Sequence, residues 1–148
     1  MSSQRGPFPL SFAQESLWFI DQFEPNSSLY NIPHALKLKG SLDITALSKA
    51  VNFVVARHDS LRTRFIARDG KPMQEVCPHI KVPLSFSDLR GFPHPERAVR
   101  VRRQIDSESV RPFDLQSGLL LRAGLLQLAD DEFVFMVTMH HIVSDLWS

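Results

Sequence analysis

The residues best equipped for chemistry are gathered in His140-His141-Ile142-Val143-Ser144-Asp145-Leu146-Trp147-Ser148. Two adjacent imidazoles, with a carboxylate four positions beyond the second, form a compact set of proton-handling groups. Imidazole is the side chain whose ordinary titration range suits proton transfer near neutral pH. The group follows an apolar run, Phe133 to Met139, that reads as a buried strand. If strand geometry persists to His141, the two rings point to opposite faces. His141 then sides with Met139, Val137, Phe135 and Phe133, and His140 with Thr138, Met136 and Val134. One histidine becomes the reacting group and the other a buried support. If the chain turns helical after His141, Asp145 falls on the same side as its imidazole.

Three chemistries compete for these residues. A metal site built from His140, His141 and Asp145 is disfavoured, because adjacent histidines diverge and no HExxH-type pairing is present. A serine hydrolase needs a nucleophile on a strained elbow; there is no G-x-S-x-G, and Ser144 alone is weak. A general base acting on an incoming nucleophile needs only one well-placed histidine. Spacing alone does not separate that last reading from a satisfied pair of core histidines at a strand end.

The elements that must position these groups alternate along the chain. Ser11 to Phe23 places Phe12, Leu17, Trp18, Ile20 and Phe23 among Glu15 and Asp21, which suits an amphipathic helix stopped by the turn residues 24–28. Tyr30 to Lys39 reads as a strand. Asp43 is an N-cap for a second helix, whose Ile44, Leu47, Ala50, Val51, Val54 and Val55 make one apolar stripe expected to be core. Leu61 to Arg68 and Lys71 to Val76 flank Asp69-Gly70, a hairpin signal because both turn positions tolerate positive φ. Pro72 puts the second strand at an edge or at its start. A helix from Glu96 to about Val110 is bounded by Pro112, and Leu119 to Leu128 then pairs with Phe133 to Met139. The order is αβαβββαββ, an α/β or α+β layer in one domain.

Composition narrows the function classes. With 148 residues, 43% hydrophobic and 22% charged, the chain can bury a real core. A net charge of +1 offers no basic field for nucleic acid. No run reaches the roughly 18 apolar residues of a membrane span. Residues 1–7 lack the apolar centre of a signal peptide. Cys77 is the only cysteine, so neither an intrachain disulfide nor a cysteine metal site is expected. These features point to a cytoplasmic protein with no nucleic-acid or membrane partner.

Four stretches together carry a family resemblance. His140-His141-Ile142-Val143-Ser144-Asp145 matches the HHxxxD signature of the condensation domains of non-ribosomal peptide synthetases and their acyltransferase relatives. Ser11-Phe12-Ala13-Gln14-Glu15-Ser16-Leu17-Trp18 resembles the family's opening motif, SxAQxxLW. Tyr30-Asn31-Ile32-Pro33 resembles the segment after it, and Arg57-His58-Asp59-Ser60-Leu61-Arg62-Thr63-Arg64-Phe65 resembles the second motif, RHxxLRTxF. They stand in the family's order across nearly the whole chain. Trp147-Ser148 is closer to condensation than to epimerisation domains.

The resemblance implies an α/β (α+β sandwich) fold of chloramphenicol-acetyltransferase type, with residues 1–148 as the N-terminal lobe and the C-terminal lobe absent. It implies amide formation between a donor acyl or peptidyl thioester and an aminoacyl acceptor. Both are carried on the 4'-phosphopantetheine of donor and acceptor peptidyl carrier proteins, so no cofactor or metal is expected on this chain. By the same resemblance His141 is the catalytic residue, His140 its buried support, and Asp145 a structural carboxylate paired with Arg62. A buried Asp needs a partner, and a bidentate Arg is the best one. Related lobes that acylate a free amine or hydroxyl, and a non-catalytic fragment or interaction module, are the alternatives.

Two departures bear on activity. Leu146 stands where the family has glycine, adding a branched side chain where a tunnel should be narrow. The chain also stops three residues past Asp145, which leads to the expectation that it is inactive alone. Elsewhere, Arg97, Arg100, Arg102 and Arg103 read as a solvated helix face, with a carrier-protein patch as the alternative. Trp18 and Phe19 read as core, Cys77 as a small buried hydrophobe, and His58 as a residue that packs or hydrogen-bonds rather than catalyses.

Overall fold

The helices start where side chains can replace missing backbone partners. In the computed structural model, which describes residues 7–144, Ser11 caps the first helix, α1 (Phe12–Phe23). Its hydroxyl accepts from the Gln14 N–H while the Gln14 side chain accepts from the Ser11 N–H. Asp43 caps α2 (Ile44–Arg57) through the Ala46 N–H. The third helix, α3 (His94–Val110), has no side-chain cap but carries Pro95 in its first turn, where a missing N–H costs nothing.

Among the described residues there are seven strands: β1 (Phe8–Pro9), β2 (Asn31–Lys39), β3 (Thr63–Arg68), β4 (Lys71–Val76), β5 (Leu84–Asp88), β6 (Leu121–Ala129) and β7 (Glu132–His140). Apart from the two-residue β1, the order matches that read from the sequence. The Asp69-Gly70 turn takes positive φ at both residues, 51° and 74°, and holds β3 against β4. Pro72 pairs with Ala67 near the start of β4, beyond the Gln74–Phe8 and Met73–Pro9 pairs with β1.

A small sheet runs β1-β4-β3 and a larger one β2-β7-β6-β5. In the larger sheet only β5 and β6 run parallel, and α3 makes their crossover. The two faces of this sheet bury separate cores. On one, Leu126, Val134 and Met136 pack with Leu89, Val101 and Ile105 under α3. On the other, Leu121 and Ala123 pack with Val55, Val51 and Val82, backed by Phe135, Val137 and Met139. A third cluster joins Leu10, Phe65, Phe113, Leu115 and Leu120 to Ile142 and Val143, with Leu17 and Trp18 of α1 against it.

Three packing expectations change. Of the α2 stripe only Val55 is fully buried, and Val54 is 46% exposed, because the stripe's outer half overhangs a groove. Phe19 is 60% exposed, since α1 turns only its Leu17–Trp18 side inward. Cys77 is half-buried, and burial pushes its thiol pKa up. No helix among the described residues is long and apolar enough to cross a membrane.

Candidate functional site

Strand β7 ends at His140, and both neighbouring segments hold that end. The His140 N–H donates to the Leu120 carbonyl at 3.1 Å, and the His141 N–H to the Tyr30 carbonyl at 2.9 Å. A tight turn follows, with the Val143 N–H donating to the His140 carbonyl at 3.1 Å. Ile142 and Val143 are buried in the third core cluster, so hydrophobic packing fixes the segment just beyond the histidines.

The two imidazoles have opposite environments. His140 is 4% exposed, on the α3 face with Thr138 and Met136. Phe113 meets its ring edge-on at 6.1 Å between centres, and Tyr30 lies 6.3 Å away. Its Nδ1 accepts from the Ile142 N–H at 3.1 Å, so the neutral ring carries its proton on Nε2. Burial, and then the neighbouring His141, push its pKa down to about 4. His140 is therefore neutral and committed near pH 7.

His141 is exposed. Its Nδ1 lies 2.7 Å from the Ser144 carbonyl oxygen. A carbonyl only accepts, so Nδ1 carries the proton of the neutral ring and Nε2 keeps a lone pair. A base in this tautomer can take a proton from an incoming N–H or O–H group. Ser144 thus contributes to the site through its backbone.

Arg62 stands at the end of a 3₁₀ turn (Asp59–Arg62), one residue before the strand expected to hold it. Its side chain is 12% exposed. Nη1 donates to the Cys77 carbonyl at 2.8 Å and Nη2 bonds the Asp59 carboxylate, while Nε is buried with no partner among the described residues. Asp145, Leu146 and Trp147-Ser148 lie outside the described residues. Beside the end of β7, on the α2 face, runs an apolar groove of about 360 Å³. Val54, Phe135, Val137 and Met139 line it, with His58, Ser60 and Ser144.

Sequence reasoning gave no role to Asn31, Arg122 or Phe113, all of which meet near His140. The Asn31 amide donates to the carbonyls of Ser109 and Arg111 at 2.8 Å each. Arg122 donates to the carbonyls of Glu108, Arg111 and Pro112 and to the Glu108 carboxylate. Only the Tyr30-Asn31-Ile32-Pro33 stretch carried a hint of Asn31. Arg97 is no solvated residue either: it donates to the carbonyls of Phe92 and Leu128, while Arg100 and Arg102 do pair with Glu96 and Asp106 on the surface. No group of three potential ligands for a metal ion occurs among the described residues.

The profile of the condensation-domain family matches residues 4–148. The chain belongs to that family. One polypeptide of the linear gramicidin synthase of Brevibacillus parabrevis is 47% identical over 146 residues, covering 99% of this chain but 3% of that protein. Phosphinothricin tripeptide synthetase PhsC of Streptomyces viridochromogenes is 43% identical over 143 residues, covering 97% of this chain and 13% of that one. Among solved structures, the starter condensation domain of rhizomide synthetase RzmA superposes with a TM-score of 0.84 at 25% identity, over 96% of this chain and 34% of that one. The first condensation domain of the calcium-dependent antibiotic synthetase, in complex with a substrate analogue, superposes at 0.82 and 27% identity. That match covers 92% of this chain and 33% of the other. The fold is the mixed α/β, chloramphenicol-acetyltransferase-like fold of these domains. The chain spans a small fraction of the length of the synthetases and only part of each solved condensation domain.

Proposed function

We propose that residues 1–148 are the N-terminal lobe of a condensation domain that forms an amide between two carrier-tethered thioesters in non-ribosomal peptide synthesis. His141 is the base in this reading. The acceptor's amine nitrogen attacks the carbonyl carbon of the donor acyl or peptidyl thioester, and its proton passes to Nε2 of His141. The C–S bond then breaks, and the departing sulfur of the donor's phosphopantetheine takes the proton up as a thiol. The observation that carries this reading is the bond from Nδ1–H of His141 to the Ser144 carbonyl, which leaves Nε2 as the open acceptor at an exposed strand end. His140 supports the site as a neutral buried ring. Asp145 serves Arg62, whose buried Nε still has a proton to donate. Donor and acceptor peptidyl carrier proteins are the partners, and the phosphopantetheine arms are theirs.

The test joins the chain to the second lobe of a related condensation domain and supplies loaded donor and acceptor carrier proteins. Tethered amide product is expected by mass spectrometry, and His141→Ala should lower its rate by roughly 10²-fold. Positioning of two tethered reactants supplies the remaining rate. An unchanged rate in His141→Ala would remove the base assignment. Product formed equally well from a free amine would remove the acceptor carrier protein.

A further inference from the structure

The two strands that flank β7 each send a side chain to the same helix end. Arg122 on β6 and Asn31 on β2 both donate to the Arg111 carbonyl, at 2.7 and 2.8 Å. Between them they also take the carbonyls of Glu108 at 3.0 Å, Ser109 at 2.8 Å and Pro112 at 3.2 Å. Those of Glu108, Ser109 and Arg111 lie at the helix C-terminus and its cap, where carbonyls lack intrahelical partners, and Pro112 follows directly. The Arg122 Nε also bonds the Glu108 carboxylate at 3.0 Å. The clamp straddles β7, which ends in His140, because Asn31 pairs with His140 and Arg122 with Thr138 in the sheet.

The clamp also sets an aromatic ring. Phe113 follows the clamped carbonyls directly and is 7% exposed. Its ring face lies 3.7 Å from the Arg122 guanidinium carbon, and it meets His140 edge-on. The His140 Nδ1 holds the Ile142 N–H, and that turn puts Nδ1 of His141 on the Ser144 carbonyl. Each member of this series restrains the next. The Arg122 side chain is 12% exposed and lies on the α3 face, so it does not share the apolar groove beside β7.

We propose that Arg122 is a positioning residue for His141, acting through Phe113 and His140 to fix the imidazole with its proton on Nδ1. Its catalytic meaning rests on the reading of His141 as the base. The measurement does not, because it reads a proton's location and not product.

The 148-residue chain, labelled with ¹⁵N in its histidines, serves for the experiment. In the parent, the His141 nitrogens should show the Nδ1–H form at neutral pH. In Arg122→Met they should shift toward the Nε2–H form that free imidazole side chains favour. Arg122→Lys, which keeps the charge but not the planar fork, should fall between the two. Phe113→Leu, which leaves Arg122 in place, should produce the same shift. Arg97→Met is the control: it loosens the other end of α3, where Arg97 holds the carbonyls of Phe92 and Leu128. It should lower the melting temperature without moving the His141 signals. A folded Arg122→Met with parental His141 signals would overturn the proposal. So would an equal shift in Arg97→Met, or loss of fold in Arg122→Lys, since either would make Arg122 a general stabiliser. If Arg122→Met alone fails to fold, Arg122→Lys and Phe113→Leu decide the matter.

Discussion

His140 and His141 are chemically the same residue in opposite surroundings, one buried and one exposed. Burial, and after it the neighbouring His141, lower the His140 pKa to about 4, and its Nδ1 is already taken as the acceptor of the Ile142 N–H. In the unfolded chain an ordinary imidazole titrates near 6.5. Between those values the unfolded state binds more protons, so stability rises with pH across that window. The contribution is fully present above about pH 6.5. It drains away as pH falls through about 4 and amounts to about 3 kcal/mol. Denaturant melts between pH 7.5 and 4 should record that slope, and His140→Asn should flatten it. His141 is exposed, so His141→Ala should keep stability within about 0.5 kcal/mol of the parent. A larger loss in the same melts would mean that its bond to Ser144 holds the fold.

At the scale of elements, single side chains that satisfy backbone groups do much of the joining. Asn52 on α2 donates to the carbonyls of Ser48 and Val82 at 2.9 Å, and its Oδ1 accepts from the Val82 N–H at 2.9 Å. Val82 is 1% exposed, so Asn52→Ala strands a buried donor and acceptor and should cost about 3 kcal/mol in a denaturant melt. Gly118 takes φ 75°, and a Cβ there would sit 2.9 Å from the Cys77 sulfur and 3.0 Å from Ile80 Cδ1. Gly118→Ala should cost about 2 kcal/mol. Adding Cys77→Ala should recover only the sulfur's share and leave the Ile80 contact and the backbone part, so full recovery would show that φ is not the cause.

These joints also mark what was legible in the sequence. Element order and the Asp69-Gly70 turn follow from local rules of periodicity and φ preference. Strand alternation places His140 on the buried α3 face, whereas His141 lies just past the end of β7, where a turn begins. Asn52, Arg97 and Arg122 were not legible in the same way. Their partners are backbone groups that only the tertiary fold brings near, and a polar side chain in a sequence does not say which carbonyl it will meet. Periodicity reports which residues share a face, not whether a neighbour covers it, so the exposed half of the α2 stripe reads as core.

For the whole molecule, the apolar surface is unevenly covered. Phe12, Phe19 and Phe23 share one face of α1, at 87%, 60% and 79% exposed, and Phe53 and Leu36 add 65% and 57%. Exposed aromatic stripes of this kind favour association. Light scattering should find the chain self-associating with rising concentration, and replacing the three α1 phenylalanines with serine should return it toward the monomer. Monomeric behaviour of the parent at high concentration would show the stripe to be inert.

The place of β7 has a consequence for the order in which the molecule comes into being. It lies between β2 and β6, so the larger sheet cannot close until residues near position 140 have been made. A ribosome releases β2 early and must hold it without its partner while everything between is synthesised. Such pairing of distant segments places folding toward the slow end of single-domain rates. The imidazole proposed as the base thus reaches its station only when the last seam is sewn, and a chain interrupted before it lacks both the closed larger sheet and that imidazole.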